Sequence, residues 1–362
     1  MHRVNFRMLC IWSQVQLGQF DSAQSLIAEA HAIESDRENF WQKPLLWALE
    51  GEIHRALGDE VSRKLAIAKA LAAARQGDYW YVFVYPFNFQ AMCCYALETG
   101  IDPEYTRHII RRLGWRSPSQ LVLHWPWQVR IYALGEFRIL RDDQPVQFGR
   151  KAPRRLLAVL KALIAFGGRD VPAERLADAL WPEVEGPSAS GSLTTALRRL
   201  RELLGGDFVG ETDGKVSLDE GAVWLDTWAF DAASAEVSGA AHRQLALTLY
   251  KGALLSDEPD ARWAVQPRAR LSTRFVELIR SESARLEAEG EWHAAASLYR
   301  RGLEADDLAE SFYRGLMRCQ YKQGQRAEAL GTYRRMQQVL SVVLGVSPSE
   351  ESLSLHRTIT GQ

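Results

Sequence analysis

Side chains that can form hydrogen bonds to DNA recur along one side of a helix predicted for residues 188–204. Four leucines at positions 193, 197, 200 and 204 follow the spacing i, i+4, i+7 and i+11, which places them on one helical stripe. A guanidinium on the other side can donate two hydrogen bonds to a guanine edge in the major groove. Taken alone, this pattern favours an ordinary amphipathic helix with a solvated basic face over a helix that binds DNA, and the neighbouring elements reverse that preference. That side carries Ser188, Gly191, Thr195, Arg198 and Arg199.

Two further helices and a hairpin are predicted around this segment. Apolar residues recur at helical spacing in residues 154–166, which end at two glycines, and in residues 173–181, which follow a proline. Downstream, residues 208–212 and 215–218 form two short apolar runs separated by an Asp-Gly pair, a hairpin turn signal. Three helices followed by a hairpin are the order of a winged helix, with the hairpin as its wing.

A small antiparallel sheet is predicted ahead of these helices, in residues 128–148, where short alternating runs flank Asp142-Asp143. The net charge of the chain is −1, but residues 150–205 hold ten Lys or Arg and only six Asp or Glu. Basic groups confined to one module fit a DNA-binding surface, and a solvated charge run is the alternative. The basic residues cluster at Arg150, Lys151, Arg154, Arg155, Arg198, Arg199 and Arg201.

Two family resemblances carry further implications. The segments RIYALGEFRIL, RKAPRRLLAVLKALI, ERLADALWPE and TTALRRLREL resemble the OmpR-type winged helix of bacterial transcription factors, in the variant found in SARP-type regulators. WLDTWAFD (residues 224–231) and LGVSPSEESLSLHR (residues 344–357) bracket a segment similar to the bacterial transcriptional activator domain (BTAD). That domain is built from tetratricopeptide (TPR)-like helical repeats and directly follows the winged helix in SARP-type regulators.

Internal repeats support the helical part of this assignment. EGEWHAAASLYRRGL (residues 289–303) matches QGQRAEALGTYRRMQ (residues 323–337) with a period of 34 residues, which is the TPR period. The glycine is expected to turn the chain between two helices, the alanine to let helices approach, and the tyrosine to fill the gap to the next unit. Stacked helix pairs of this kind leave a concave groove for a peptide or a partner helix.

The first 125 residues read as degenerate TPR-like repeats, because Gly18 and Gly58 lie 40 residues apart rather than 34. No capping repeat precedes them, which suggests the C-terminal portion of a longer protein. Residues 80–115 resemble the segment that connects the helical repeats to the DNA-binding module in large MalT-like regulators. In those proteins an ATPase lies upstream of the repeats. The phosphate-loop lookalike GETDGK (residues 210–215) is too short, so ATP binding is not expected of this chain.

The OmpR-type resemblance implies roles for individual residues. Its third helix enters the major groove, so Thr195, Arg198 and Arg199 are the candidates for base contact, while Arg201 is expected to meet a phosphate or an acid. Trp181 is expected in the core. The wing departs from the usual pattern because it is acidic at Glu211 and Asp213. The remaining candidates, all for backbone contact, are Ser188, Ser192, Arg154, Arg155 and, on the wing, Lys215.

Composition and spacing exclude several other classes of protein. The four cysteines form no metal-ligand spacing and are expected as free thiols, the start of the chain has no signal peptide, and no apolar run is long enough to span a membrane. No nucleophile–base constellation or paired acids occur, so no cofactor and no enzymatic activity are expected.

The sequence therefore predicts a mainly α fold in which TPR-like repeats (residues 1–125 and 227–362) flank a winged helix (residues 126–226). The expected function is cytoplasmic transcription regulation, most simply activation. The expected partners are double-stranded promoter DNA, RNA polymerase and either an upstream ATPase or sensor region or a second copy. A protein-interaction scaffold whose winged helix no longer binds DNA is the alternative.

Overall fold

A computed structural model describes residues 2–34, 42–84, 89–147, 154–184, 186–206, 208–235 and 239–361. The chain divides into two compact units, Met1–Gln128 and Val129–Gln362. The described residues are mainly helical, as predicted, with short strands confined to the second unit.

The first unit consists of consecutive helices. Gly18 and Gly58 adopt positive φ values of 72° and 73° between the helices of successive pairs, a left-handed conformation that glycine adopts without steric cost. The predicted turns at both glycines are therefore confirmed. The helices are α1 (His2–Gln16), α2 (Phe20–Glu34), α3 (Lys43–Leu57), α4 (Glu60–Gly77), α5 (Phe89–Thr99) and α6 (Pro103–Leu113), with a 3-10 turn at Trp80–Val84.

The second unit begins with the winged helix. Asp142-Asp143 and Asp213-Gly214 both place two successive residues at positive φ, as in the tight turns that join antiparallel strands, so both predicted turns are confirmed. The elements in chain order are β1 (Val129–Tyr132), β2 (Arg138–Arg141), β3 (Gln144–Pro145), α7 (Arg154–Ala165), β4 (Val171–Pro172), α8 (Ala173–Leu180), α9 (Gly186–Leu204), β5 (Val209–Thr212), β6 (Lys215–Leu218) and β7 (Val223–Leu225).

The strands form two sheets, with the orders β3-β2-β1-β7 and β4-β6-β5. β1 and β2 are antiparallel, as expected, but β7 adds to β1 in parallel, with Val129 opposite Val223 and Ile131 opposite Leu225. Strands β7 and β4 were not expected from the sequence. Their pairing partners are distant in sequence and neither strand has a hairpin turn to mark it.

The rest of the second unit is helical. Gly290 and Gly324 turn the chain between paired helices with φ of 79° and 76°. Tyr299 packs so closely on Gly315 of the next helix pair that a Cβ atom there would lie 2.2 Å from the Tyr299 ring. The tyrosine therefore fills the gap between successive helical repeats, as predicted. The helices are α10 (Asp226–Ala233), α11 (Ala240–Leu249), α12 (Val265–Ala288), α13 (Trp292–Ala305), α14 (Glu310–Lys322), α15 (Arg326–Val339) and α16 (Glu350–Thr360), with a 3-10 turn at Arg262–Ala264 and a π-helical turn at Leu340–Leu344.

Directional polar contacts join the winged helix to these repeats. The buried Asp226 carboxylate accepts hydrogen bonds from the amides of Ala133 and Leu134, both at 2.8 Å. The indole of Trp228 donates to the carbonyl of Gly167 at 2.7 Å. Lys161 of α7, whose side chain is 6% exposed, lies between two carboxylates. We call this set of contacts the junction; it shows that packing continues across the predicted boundary at residues 226 and 227.

Candidate nucleic-acid interface

Helix α9 is fixed in the winged helix by its leucine stripe. Leu193, Leu197, Leu200 and Leu204 are all at most 3% exposed, as the spacing predicted. α9 packs on both α7 and α8 through this stripe. Burial of one complete face leaves the other face to solvent and fixes the direction in which its side chains point.

The outer face of α9 presents the predicted contact residues to solvent. Arg198 and Arg199 are both exposed. Arg198 donates to Glu202 one turn later at 2.8 Å, with both side chains more than 60% exposed. An exposed pair of this kind contributes only about 0.3–0.5 kcal/mol, so Arg198 can exchange Glu202 for an anionic or base partner at little cost. Among the described residues, no carboxylate pairs with Arg199.

Several predicted residues converge on a shallow cleft of about 440 Å³ beside this face. Trp181 also lines the cleft and is half-buried, so the expectation that it belongs to the core is wrong. Its place at the very end of the predicted helix, next to Pro182, is the signal that could have excluded it from the core. The predicted contact residues that line the cleft are Arg155, Ser188, Ser192, Thr195 and Arg199.

The hydroxyl groups on α9 point their hydrogens inward. Ser192 donates to the Ser188 carbonyl at 2.9 Å, and Thr195 donates to the Gly191 carbonyl at 3.0 Å. In this arrangement the oxygen lone pairs face outward, so each hydroxyl can accept a hydrogen bond from a base amino group. A contact to a phosphate oxygen needs a donor, and each hydroxyl must rotate away from its carbonyl to provide one.

Three other predicted residues lie in different settings. Arg201 is half-buried and its Nε donates to the Val209 carbonyl at 2.7 Å, so this side chain attaches α9 to the first strand of the wing. Lys215 is exposed just after the Asp213-Gly214 turn, and Arg154 is exposed at the start of α7. The basic residues Arg150 and Lys151 lie outside the described residues.

The wing carries the expected acidic groups at its surface. Glu211 and Asp213 are exposed on either side of Thr212, close in sequence to Lys215. Carboxylates at these positions oppose the approach of a phosphate backbone, while the lysine favours it. The wing is therefore electrostatically less favourable for an approaching polyanion than the arginine-bearing face of α9.

Two kinds of feature are absent from the described residues, groups of metal-ligating side chains and helices able to span a membrane. Within them, no group of three or more His, Cys, Asp or Glu side chains could hold a metal ion. Over the same residues, every helix is too short or too polar to cross a membrane.

Comparison with known proteins connects this geometry to a family. Residues 225–360 match the bacterial transcriptional activator domain. The chain is 31% identical over 242 residues to the regulatory protein AfsR of Streptomyces griseus, covering 64% of this chain and 24% of AfsR. It is 27% identical over 250 residues to the transcriptional regulatory protein EmbR of Mycobacterium tuberculosis H37Rv, covering 63% of this chain and 62% of EmbR.

A solved structure shows the same fold. EmbR of Mycobacterium tuberculosis, in complex with a low-affinity phosphopeptide, superimposes with a TM-score of 0.50 and 23% identity over 65% of each chain. The chain spans about a quarter of AfsR and less than two thirds of EmbR. The resemblance to SARP-type regulators is confirmed by these relatives and by the match of residues 225–360 to the bacterial transcriptional activator domain.

Proposed function

We propose that this chain is part of a transcription regulator that binds promoter DNA through the outer face of α9. The observation that carries the proposal is the convergence of Arg155, Thr195 and Arg199 on one exposed cleft, beside a helix whose opposite face is completely buried. The names of AfsR and EmbR as regulatory proteins support transcription as the process.

Each side chain has a role set by its position. Arg199 donates to a guanine edge, Arg198 does so after releasing Glu202, and Thr195 accepts from a base amino group. Arg201 positions the wing and leaves base contact to the other arginines. Head-to-tail pairing on direct repeats, with half-sites about one helical turn apart, follows from winged helices of this type. The backbone contacts fall to Arg154, Arg155, Ser188, Ser192 and Lys215.

The other parts of the chain have supporting roles in this proposal. The activator domain contacts RNA polymerase or a second protomer through its helical repeats, whose stacking provides an extended surface. The first unit receives a signal or connects to an upstream sensory or ATPase region. The protein acts in the cytoplasm without enzymatic activity or a cofactor.

The test begins with selection of DNA fragments from the source genome by the full chain. Binding of selected fragments is then measured for wild type and for Arg198→Ala/Arg199→Ala. We expect wild-type affinity to fall steeply with salt, and the double variant to lose about 1–3 kcal/mol of discrimination per arginine that reads a base. The matched control is Arg300→Ala/Arg334→Ala, two exposed arginines at equivalent repeat positions, which removes the same charge.

The second candidate function is a protein-interaction scaffold, which the exposed Glu211 and Asp213 of the wing favour. On that account the wild-type chain selects no fragment, and the arginine variant binds duplex DNA as wild type does. Selective binding that survives the double variant would show that α9 is not the reading helix.

A further inference from the structure

We infer that the first unit carries a second, sequence-independent contact for duplex DNA on α6, formed by Arg107, Arg111 and Arg112. This inference rests on the proposed DNA binding by the winged helix. We call these three residues the α6 arginines. They belong to the first unit, whereas the residues that the family pattern assigned to DNA belong to the second, and the structure gives the α6 arginines a shared exposed side.

Helix α6 is strongly two-sided. Its buried side consists of Tyr105, Thr106, Ile109 and Ile110. Arg107 and Arg111 are four residues apart, and their side chains begin about 5–6 Å from each other on the helix surface. Arg111 and Arg112 are exposed, and Arg107 is half-buried. The arginines thus line the part of α6 that the helical core does not cover.

The α6 arginines lack acidic partners within the described part of the chain. Arg107 donates to the carbonyl of His124 at 3.4 Å, and the Arg112 guanidinium lies 5.9 Å from the Trp80 ring centroid, but neither contact neutralises a charge. The nearby Asp102 is bound by Arg75 instead, at 3.1 Å. Asp78 lies 3.7 Å from His108.

This pattern differs from that of many other exposed arginines in the molecule. Arg55, Arg198 and Arg357 each lie within 2.8 Å of a carboxylate on their own helix. Positive charge on α6 is therefore available to an external anion without breaking an existing ion pair. Arg199 of the reading helix is in the same situation.

The sequence around α6 is also poor in acidic residues. No Asp or Glu occurs between Glu104 and Glu136, although the chain is otherwise balanced with 44 basic and 45 acidic residues. A run of basic residues without acids attracts a polyanion, and duplex DNA presents phosphates at regular spacing. The side chains that the α6 arginines expose are charged, whereas a protein partner is expected to bury an apolar centre. Duplex DNA is thus the occupant that the chemistry favours.

A covalent link makes even a weak second contact effective. α6 and the winged helix belong to one chain, so on a duplex long enough to reach both of them the second contact is intramolecular. Phosphate contacts add affinity on any sequence, but they add no preference between sequences. The α6 arginines are expected to change how tightly DNA is held, and to leave the choice of site to α9.

The experiment compares the full chain with Arg111→Ala/Arg112→Ala on a selected fragment and on an unrelated duplex of equal length. Loss of two phosphate contacts should reduce the slope of log affinity against log salt by about 1.8, and lower affinity for both duplexes roughly 10- to 60-fold at 0.1 M salt. The ratio between the two affinities should stay unchanged. The control is Arg55→Ala/Arg357→Ala, which removes equal charge from exposed arginines already paired with a carboxylate on their own helix.

The outcomes distinguish a failure of the α6 contact from a failure of the proposed function. If the α6 variant binds both duplexes with the wild-type salt slope while Arg198→Ala/Arg199→Ala loses selectivity, the α6 contact is wrong and the proposed function stands. A wild-type chain that binds no duplex overturns both. If the α6 variant loses binding to a poly-glutamate peptide but keeps wild-type DNA binding, α6 serves an acidic protein and the inference fails. Unchanged circular dichroism and melting temperature establish that the variants fold.

Discussion

The junction and the outer face of α9 use the same kinds of side chain in opposite ways. At the junction, Lys161 is buried and bound at 2.5 and 2.7 Å by Asp257 and Glu258. On α9, Arg199 is exposed, and the described residues place no carboxylate against it. A basic residue of the winged helix therefore indicates DNA only when its charge is left to solvent.

This difference revises the charge count made from the sequence. Among the ten basic residues of positions 150–205, Arg169 stacks on Trp228 and Arg175 on Phe166, with guanidinium carbons 4.5 and 4.0 Å from the ring centroids. Lys161 and Arg201 are also held by the protein itself. The local excess of positive charge overstates the surface available to DNA, which is concentrated at α7 and α9.

The largest expected effect comes from removing the partners of the buried cation. Asp257→Asn/Glu258→Gln leaves Lys161 buried without a counter-charge, and we expect about 3–5 kcal/mol of lost stability. Lys161→Met replaces the buried cation with an apolar chain, and the two carboxylates it leaves are 43% exposed, so its cost should be much smaller. Urea unfolding of both variants measures the asymmetry; equal losses would show that the ion pair itself is the stabilising feature.

The next effect concerns Asp226. Asp226→Ala leaves the amides of Ala133 and Leu134 buried without an acceptor, which should cost about 2–4 kcal/mol. Asp226→Asn keeps an acceptor for these amides and should cost much less. Unfolding in denaturant at pH 5 compares the two variants with wild type, and a similar loss in both would contradict this role of the carboxyl oxygen.

The same residue predicts a pH dependence. Burial raises the pKa of the Asp226 carboxyl to about 7, against the opposing effect of hydrogen bonds from the Leu134 and Ala133 amides. Between the ordinary Asp pKa of about 4 and pH 7, the folded state then binds a proton that the unfolded state lacks. The free energy of unfolding should fall as pH rises through this window. Asp226→Asn should remove that part of the slope, and a wild-type slope in this variant would assign the effect to other groups.

Arg201 tests the border between the two regions because it belongs to α9 but is half-buried. Arg201→Ala removes the bond to the Val209 carbonyl and should cost about 1.5 kcal/mol, with a smaller loss of DNA affinity than at Arg199. Arg201→Lys keeps the charge but not the Nε donor. If Arg201→Lys lowers stability more than it lowers DNA affinity, the residue positions the wing. If it lowers DNA affinity more than stability, the residue is a phosphate contact.

Features that depend on residues close together in sequence were predicted from the sequence. The leucine stripe of α9, the turn at Asp213-Gly214 and the repeat glycines follow from periodicity and backbone preference, and all were confirmed. The pairing of β7 with β1 joins residues more than 90 positions apart. The salt bridges of Lys161 reach equally far along the chain. No spacing rule connects such residues, so their roles became visible only in the folded chain.

The smallest effect on stability is expected on the outer face of α9. Because Arg198 and Arg199 are exposed and the pair with Glu202 is weak, Arg198→Ala/Arg199→Ala should change unfolding free energy by less than about 0.5 kcal/mol. Thermal and urea unfolding check this value. A loss above 1–2 kcal/mol would mean that the arginines support the fold, contrary to the contrast with the junction.

The most direct measurement places a DNA-cleaving iron chelate on α9. Thr194→Cys introduces an exposed attachment point there, and Ser354→Cys provides a matched exposed point on α16. The wild-type chain, treated with the same chelate, controls for attachment to its own four cysteines. We expect chelate at position 194 to cleave a selected fragment within the major groove of the bound site, and chelate at position 354 to leave that groove uncut. If chelate at position 194 cleaves the fragment no more than the chelate-treated wild-type chain does, the result would contradict DNA reading by α9.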